Sequence, residues 1–228
     1  MRKQAYRRTA RKRLEGDGGR VSEYDLHTRA RLALDELRDV TAATEPDAEK
    51  LLAVTKEAET AFQRARTEFP DSSEILAAEA ELLDLLDKAP KALATLEKAF
   101  RLNPRLDWLA IRLAKRYSRA GNDDNAVEVL EKCLRAGESS KDAHLALANA
   151  LRRTNGVPSK IIENLRKGFV AGDTNFEAQF LYGRELFLAK NVNESKEIFA
   201  RLNERAPGRF RTTASEIATV PRRQVRRL

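Results

Sequence analysis

The sequence predicts an all-α chain, built as a superhelical solenoid of antiparallel helix pairs, and three observations carry that expectation. The apolar residues are mostly Leu and Ala, with only 10 Gly and 7 Pro in 228 residues. No alternating run of Val, Ile and Thr bounded by turn residues marks a strand. Small and large apolar side chains also recur with a period near 34, the mark of a repeat architecture.

Proline gives the period first. Pro70 and Pro104 stand 34 residues apart, and Pro207 lies 103 further on, close to three more periods. Proline stops a helix, because it lacks an N–H and its ring clashes with the preceding turn. Ahead of each stop the same spacing of four and then three recurs: Ala58, Phe62, Ala65; Ala92, Leu96, Ala99; Ala126, Leu130, Cys133; Ile161, Leu165, Gly168; Ser195, Phe199, Leu202. Glu138 and Asp173 occupy the proline slot in the third and fourth segments. Such spacing puts the residues on one helix face, with small side chains where two helices approach closely.

An earlier helix in each unit carries its own template. Leu113-Ala114 with Tyr117 and Gly121, Leu147-Ala148 with Leu151 and Gly156, Tyr182-Gly183 with Leu186, and the weaker Leu76, Ala80 and Leu83 all follow it. Together these are the Leu-Gly-x-x-Tyr, Ala, Phe, Ala, Pro pattern, and the sequence resembles the tetratricopeptide-repeat family across about residues 39–209. The resemblance implies whole repeats at 73–106, 107–140, 141–175, with one inserted residue, and 176–209. Residues 23–72 read as a degenerate first repeat, with a helix at 23–40, an enlarged turn at 41–47 around Pro46 and a second helix at about 48–69. After 209 only Thr213 to Val220 could form a covering helix before Pro221. Self-association or a covering partner is therefore expected at the C-terminal end, whose apolar face would otherwise stand bare.

Charge is segregated. Residues 1–20 hold eight Lys or Arg against Glu15 and Asp17, a balance of +6, and 208–228 hold six Arg against Glu216, +5, leaving the body at −3 of a total of +8. Residues 1–22 therefore read as a basic arm and 210–228 as a basic tail.

No catalytic constellation is legible. Gly16-Asp-Gly-Gly19 lacks the Lys-Ser/Thr of a phosphate-binding loop, and no Gly-x-Ser-x-Gly or His-Glu-x-x-His occurs. His27 and His144 lie far apart, and with the single Cys133 they cannot make the usual four-ligand zinc site. The expectation is a chain without enzyme activity, cofactor or metal. A lone cysteine forms no internal disulfide and no apolar stretch approaches the roughly 20 residues that span a bilayer, which predicts a cytoplasmic protein that does not contact a membrane.

The resemblance further implies that the first helix of each repeat lines a concave groove for a partner peptide or helix. Carried onto this sequence, the groove residues are Trp108, Ile111, Lys115, Asn149, Arg152, Phe180, Arg184 and Phe187, with Glu74, Glu81 and Asp84 making the earlier stretch acidic. A cationic, aromatic second half suits an acidic segment of a protein partner, since guanidinium pairs with carboxylate and rings supply buried area. The slots that grip chaperone tails in one subtype hold Ala77, Glu81, Arg112, Asp142 and Ala146, which speaks against such a receptor. The alternative is a nucleic-acid-associated protein, contacting phosphates through Arg7, Arg8, Arg11, Lys12, Arg13, Arg222, Arg223, Arg226 and Arg227.

Overall fold

The structure, a computed structural model, describes residues 21–45, 47–137, 140–169 and 174–205. Among them are ten helices and no strand: α1 (Glu23–Thr41), α2 (Ala48–Glu68), α3 (Ser73–Leu85), α4 (Ala89–Leu102), α5 (Asp107–Arg119), α6 (Asp123–Ala136), α7 (Lys141–Arg153), α8 (Pro158–Gly168), α9 (Phe176–Leu188) and α10 (Val192–Arg205). Consecutive helices pack as the pairs α1–α2, α3–α4, α5–α6, α7–α8 and α9–α10. Two compact units result, one ending at Asn103 and the other starting at Pro104.

Most first helices of the pairs are opened by a side chain that accepts from the free N–H groups of the first turn, as Ser and Asn do well. Ser22, Ser72, Ser140 and Asn175 cap α1, α3, α7 and α9. At α1 the exchange is reciprocal, because the Asp25 carboxylate accepts from the Ser22 amide at 3.1 Å. The Ser22 hydroxyl also donates to Asp25, which holds that carboxyl below its usual range. Two of the second helices open instead on proline, Pro90 in α4 and Pro158 in α8, where the missing N–H costs nothing.

The turn inside a pair is built one way four times. Asp87, Gly121, Asn155 and Lys190 take positive φ of 55°, 78°, 53° and 69°. In each case the next amide reaches back five residues, from Lys88 to Leu83, Asn122 to Tyr117, Gly156 to Leu151 and Asn191 to Leu186, at 2.7–2.9 Å. This is the left-handed helix stop that glycine favours. Gly156, which shares a template with Gly121 in the sequence, sits one residue past the left-handed position. Its lack of a side chain serves close approach instead, since a Cβ there would lie 3.0 Å from the Leu151 carbonyl oxygen.

A measurable asymmetry follows. A Cβ on Gly121 would meet nothing within 4 Å, so Gly121→Ala costs only its backbone strain, about 1 kcal/mol. Lys190→Gly relieves the same strain and stabilises by about 0.5–1 kcal/mol. Urea midpoints of the two variants are expected to move in opposite directions.

In the first unit Ala30, Leu34 and Leu37 of α1 meet Val54, Ala58 and Phe62 of α2 and Ala78 and Leu82 of α3 in one buried cluster. Leu26, Ala65 and Ile75 form a second, with Phe69 against it. Across the unit Arg31 reaches Glu81 at 3.0 Å, and Arg38 pairs with the same carboxylate. Glu79 occupies the slot that Leu113, Leu147 and Tyr182 fill in other repeats. Burial pushes its carboxyl up, and Arg66 at 2.9 Å partly offsets that.

In the second unit the close contacts fall on Ala110, Ala114, Ala126, Cys133 and Ala148, with Leu109, Leu113, Leu130, Leu147 and Leu165 filling the interior between them. Alternation of small and large residues lets neighbouring helices approach while leaving few voids.

Candidate functional site

First helices α5 and α7 pack directly on one another, and α9 follows against α8. Between α5, α7 and α9 lies a cleft of about 520 Å3, lined by Ile111, Lys115, Ser118 and Arg119 from α5, Asn149, Arg152 and Arg153 from α7, and Glu177 and Leu181 from α9, with Ala114, Ala146 and Ala150 at its floor. Alanines at the floor make the hollow, because they end where longer side chains would fill it.

Of the residues expected to line a groove, Ile111, Lys115, Asn149 and Arg152 come together in this cleft. Trp108, Phe180, Arg184 and Phe187 lie outside its lining. Trp108 is 44% exposed near the start of α5. Phe180 packs edge-to-face on Phe199, centroids 5.9 Å apart, and so is engaged in the α9–α10 interior. Phe187 and Arg184 are half-buried.

The cations of the cleft differ in what already holds them. Arg152 Nε donates to Glu185 Oε1 at 3.0 Å, and Arg153 pairs with Asp123 at 3.6 Å. Lys115 and Arg119 are exposed and carry no ion pair among the described residues. Arg119, Arg153 and Leu181 escaped the sequence reading. Arg153 and Leu181 each stand one position past an expected groove residue, Arg152 and Phe180, and Arg119 stands one turn past Lys115, so a wider helical stripe would have caught all three.

Elsewhere polar chemistry is structural. The Tyr182 hydroxyl donates to Glu194 at 2.5 Å and accepts from Arg166 Nε at 3.0 Å, tying α8, α9 and α10 together, while burial pushes the phenol up. His144 is buried, its Nδ1 2.7 Å from the Asn164 side-chain oxygen. His27 is pushed towards its neutral form by burial first and by Arg31 second. Burial raises the Cys133 thiol, the opposite of what a nucleophile needs. Among the described residues no three His, Cys, Asp or Glu gather as a metal site would require, and no helix is long and apolar enough to cross a membrane. The basic residues Arg7, Arg8, Arg11, Lys12, Arg13, Arg222, Arg223, Arg226 and Arg227 lie outside the described residues, as do the N-terminal arm through residue 20 and the C-terminal tail.

Residues 107–150, which hold α5, α6 and most of α7, match the family model of the tetratricopeptide repeat. Over these residues the chain is similar to the tetratricopeptide repeat. Its antiparallel pairs, left-handed intra-repeat turns and small-residue contacts are those of that solenoid class. Solved structures agree on the fold. PilF of Pseudomonas aeruginosa is similar at 16% identity, covering 94% of this chain and 91% of that one with a TM-score of 0.66. YrrB, a tetratricopeptide-repeat protein with an unusual peptide-binding site, is similar at 24% identity over 69% of this chain and 79% of that one, TM-score 0.60. MamA from Desulfovibrio magneticus RS-1 is similar at 16%, over 77% and 94%, TM-score 0.53. No curated protein sequence matches the chain.

Proposed function

We propose that the chain is a tetratricopeptide-repeat protein serving as a non-enzymatic interaction scaffold, and that it grips an acidic peptide or helix of a protein partner in the α5–α7–α9 cleft. The observation that carries the reading is the convergence of Ile111, Lys115, Asn149 and Arg152 on one hollow in which Lys115 and Arg119 lack ion-pair partners among the described residues. An incoming carboxylate gives those two cations what the protein does not, whereas at Arg152 it must compete with Glu185. Lys115 and Arg119 should therefore dominate recognition, with Ile111 and Leu181 supplying apolar contact. The peptide-binding site described for YrrB supports a peptide ligand for a protein of this fold. A cytoplasmic setting belongs to the same reading, the lone Cys133 being buried and unbridged.

Fluorescence anisotropy of a labelled Glu- and Leu-rich peptide tests the proposal. Binding is expected to weaken as salt rises, and Lys115→Glu with Arg119→Glu should reduce affinity by about 10- to 100-fold. Equal binding of a Lys-rich control, or no change in the double variant, would sink it.

A further inference from the structure

Ile111, Lys115 and Arg119 follow one another at intervals of four along α5, and all three line the cleft between α5, α7 and α9. They form a stripe with a step of about 6 Å, at 1.5 Å per residue. On an extended chain, residues two apart share a face and stand about 6.6 Å from one another. A ligand with an apolar residue and then two acidic ones, each two positions on from the last, therefore sets one side chain over each member of the stripe.

A helix offers the same step between its residues i and i+4, and two observations decide between the conformations. The first is size. From Ile111 to Arg119 the stripe runs about 12 Å, and a helix of that length, as a cylinder 10 Å across, fills about 900 Å3. An extended strand of the same length, with strand and sheet spacings for its section, fills about 600 Å3. The cleft holds about 520 Å3. The second is hydrogen bonding. Ser118 and Asn149 line the cleft, and their side chains bond to nothing among the described residues. A helix pairs its own N–H and C=O groups, whereas an extended backbone leaves them open. The Asn149 amide, with two donors and an acceptor, matches an N–H and a C=O of such a backbone.

Glu177, in the first turn of α9, is the single carboxylate of the lining. It repels acidic side chains from the α9 side and leaves them Lys115 and Arg119, which are exposed and carry no ion pair among the described residues. We infer that the cleft takes its partner as an extended strand lying along α5, apolar over Ile111 and acidic over Lys115 and Arg119, with Asn149 holding the strand's backbone. This rests on the cleft being the seat of an acidic partner, and it adds the partner's conformation and spacing.

Fluorescence anisotropy with three labelled peptides of equal net charge tests it. Glu-Ser-Glu-Ser-Leu-Ser-Glu-Ser-Glu presents the pattern whichever way the chain runs. Glu-Glu-Ser-Ser-Leu-Ser-Ser-Glu-Glu has the same composition, but its neighbouring acids point to opposite faces. The third is a lactam-closed helix with Leu, Glu and Glu at i, i+4 and i+8. The alternating peptide is expected to bind about tenfold more tightly than either of the others, the worth of one charged contact. N-methylation of its leucine and the flanking serines removes strand donors without touching the protein, and should weaken it about tenfold. Asn149→Leu should do the same and leave the affinity of the helix unchanged. Equal binding of the two linear peptides, a helix that binds as tightly, or indifference to N-methylation overturns the strand. In those cases the acidic site itself stands if Lys115→Glu with Arg119→Glu still weakens binding. Binding of none of the three peptides overturns both.

Discussion

Phe199→Ala is expected to cost about 3–5 kcal/mol and to unfold the last helix pair ahead of the rest. The Phe199 ring is 2% exposed and lies edge-on to Phe180. It also presses on the bare backbone of Gly183, where an added Cβ would come within 3.0 Å of its Cζ. The Ser195 hydroxyl donates to the Gly183 carbonyl at 2.7 Å and pins α10 to α9, which limits collapse into the space. Stability in stacked repeats is close to a sum of local terms, so the loss should stay local. Urea unfolding followed by helical circular dichroism should show an early step worth one helix pair, then a second step near the wild-type midpoint. A single transition displaced as a whole would mean that the pairs melt together.

Gly168→Val is expected to destabilise by about 3 kcal/mol, through overpacking. A Cβ at Gly168 would stand 2.5 Å from both Cγ and Cδ2 of Leu145 and 3.0 Å from the Lys141 carbonyl oxygen. The equivalent slot holds Ala65, Ala99, Cys133 and Leu202 in the other repeats. Here the volume missing at Gly168 is supplied from across the pair by Leu145. Gly168→Ala should therefore also destabilise, although alanine is the better helix former by about 1 kcal/mol. Adding Leu145→Ala should recover part of that loss, with a coupling of about 1–3 kcal/mol between the two sites in thermal or urea unfolding. Strict additivity would show that the two side chains do not share the space.

The fold was legible because its signal is local. The four-then-three spacing of Ala58, Phe62 and Ala65 and its counterparts needs only the helix period and the steric need for small residues at close contacts. What escaped was decided between elements. Gly168 reads as one more small residue until Leu145 is seen leaning into it. Lys190 gives no hint of left-handed backbone, since the turn imposes that geometry on a residue that does not prefer it. Of the eight residues expected in a groove, half, namely Ile111, Lys115, Asn149 and Arg152, line the cleft. That Arg152 is held by Glu185 and Phe180 by Phe199 depends on neighbouring helices, and neither pairing follows from spacing within one repeat.

Within each unit the principal contacts join helices of one pair or of pairs adjacent in the chain. A nascent polypeptide leaving the ribosome therefore needs no distant segment before a pair can settle. Low contact order of this kind favours rapid, vectorial folding, with little time spent as exposed, sticky intermediates.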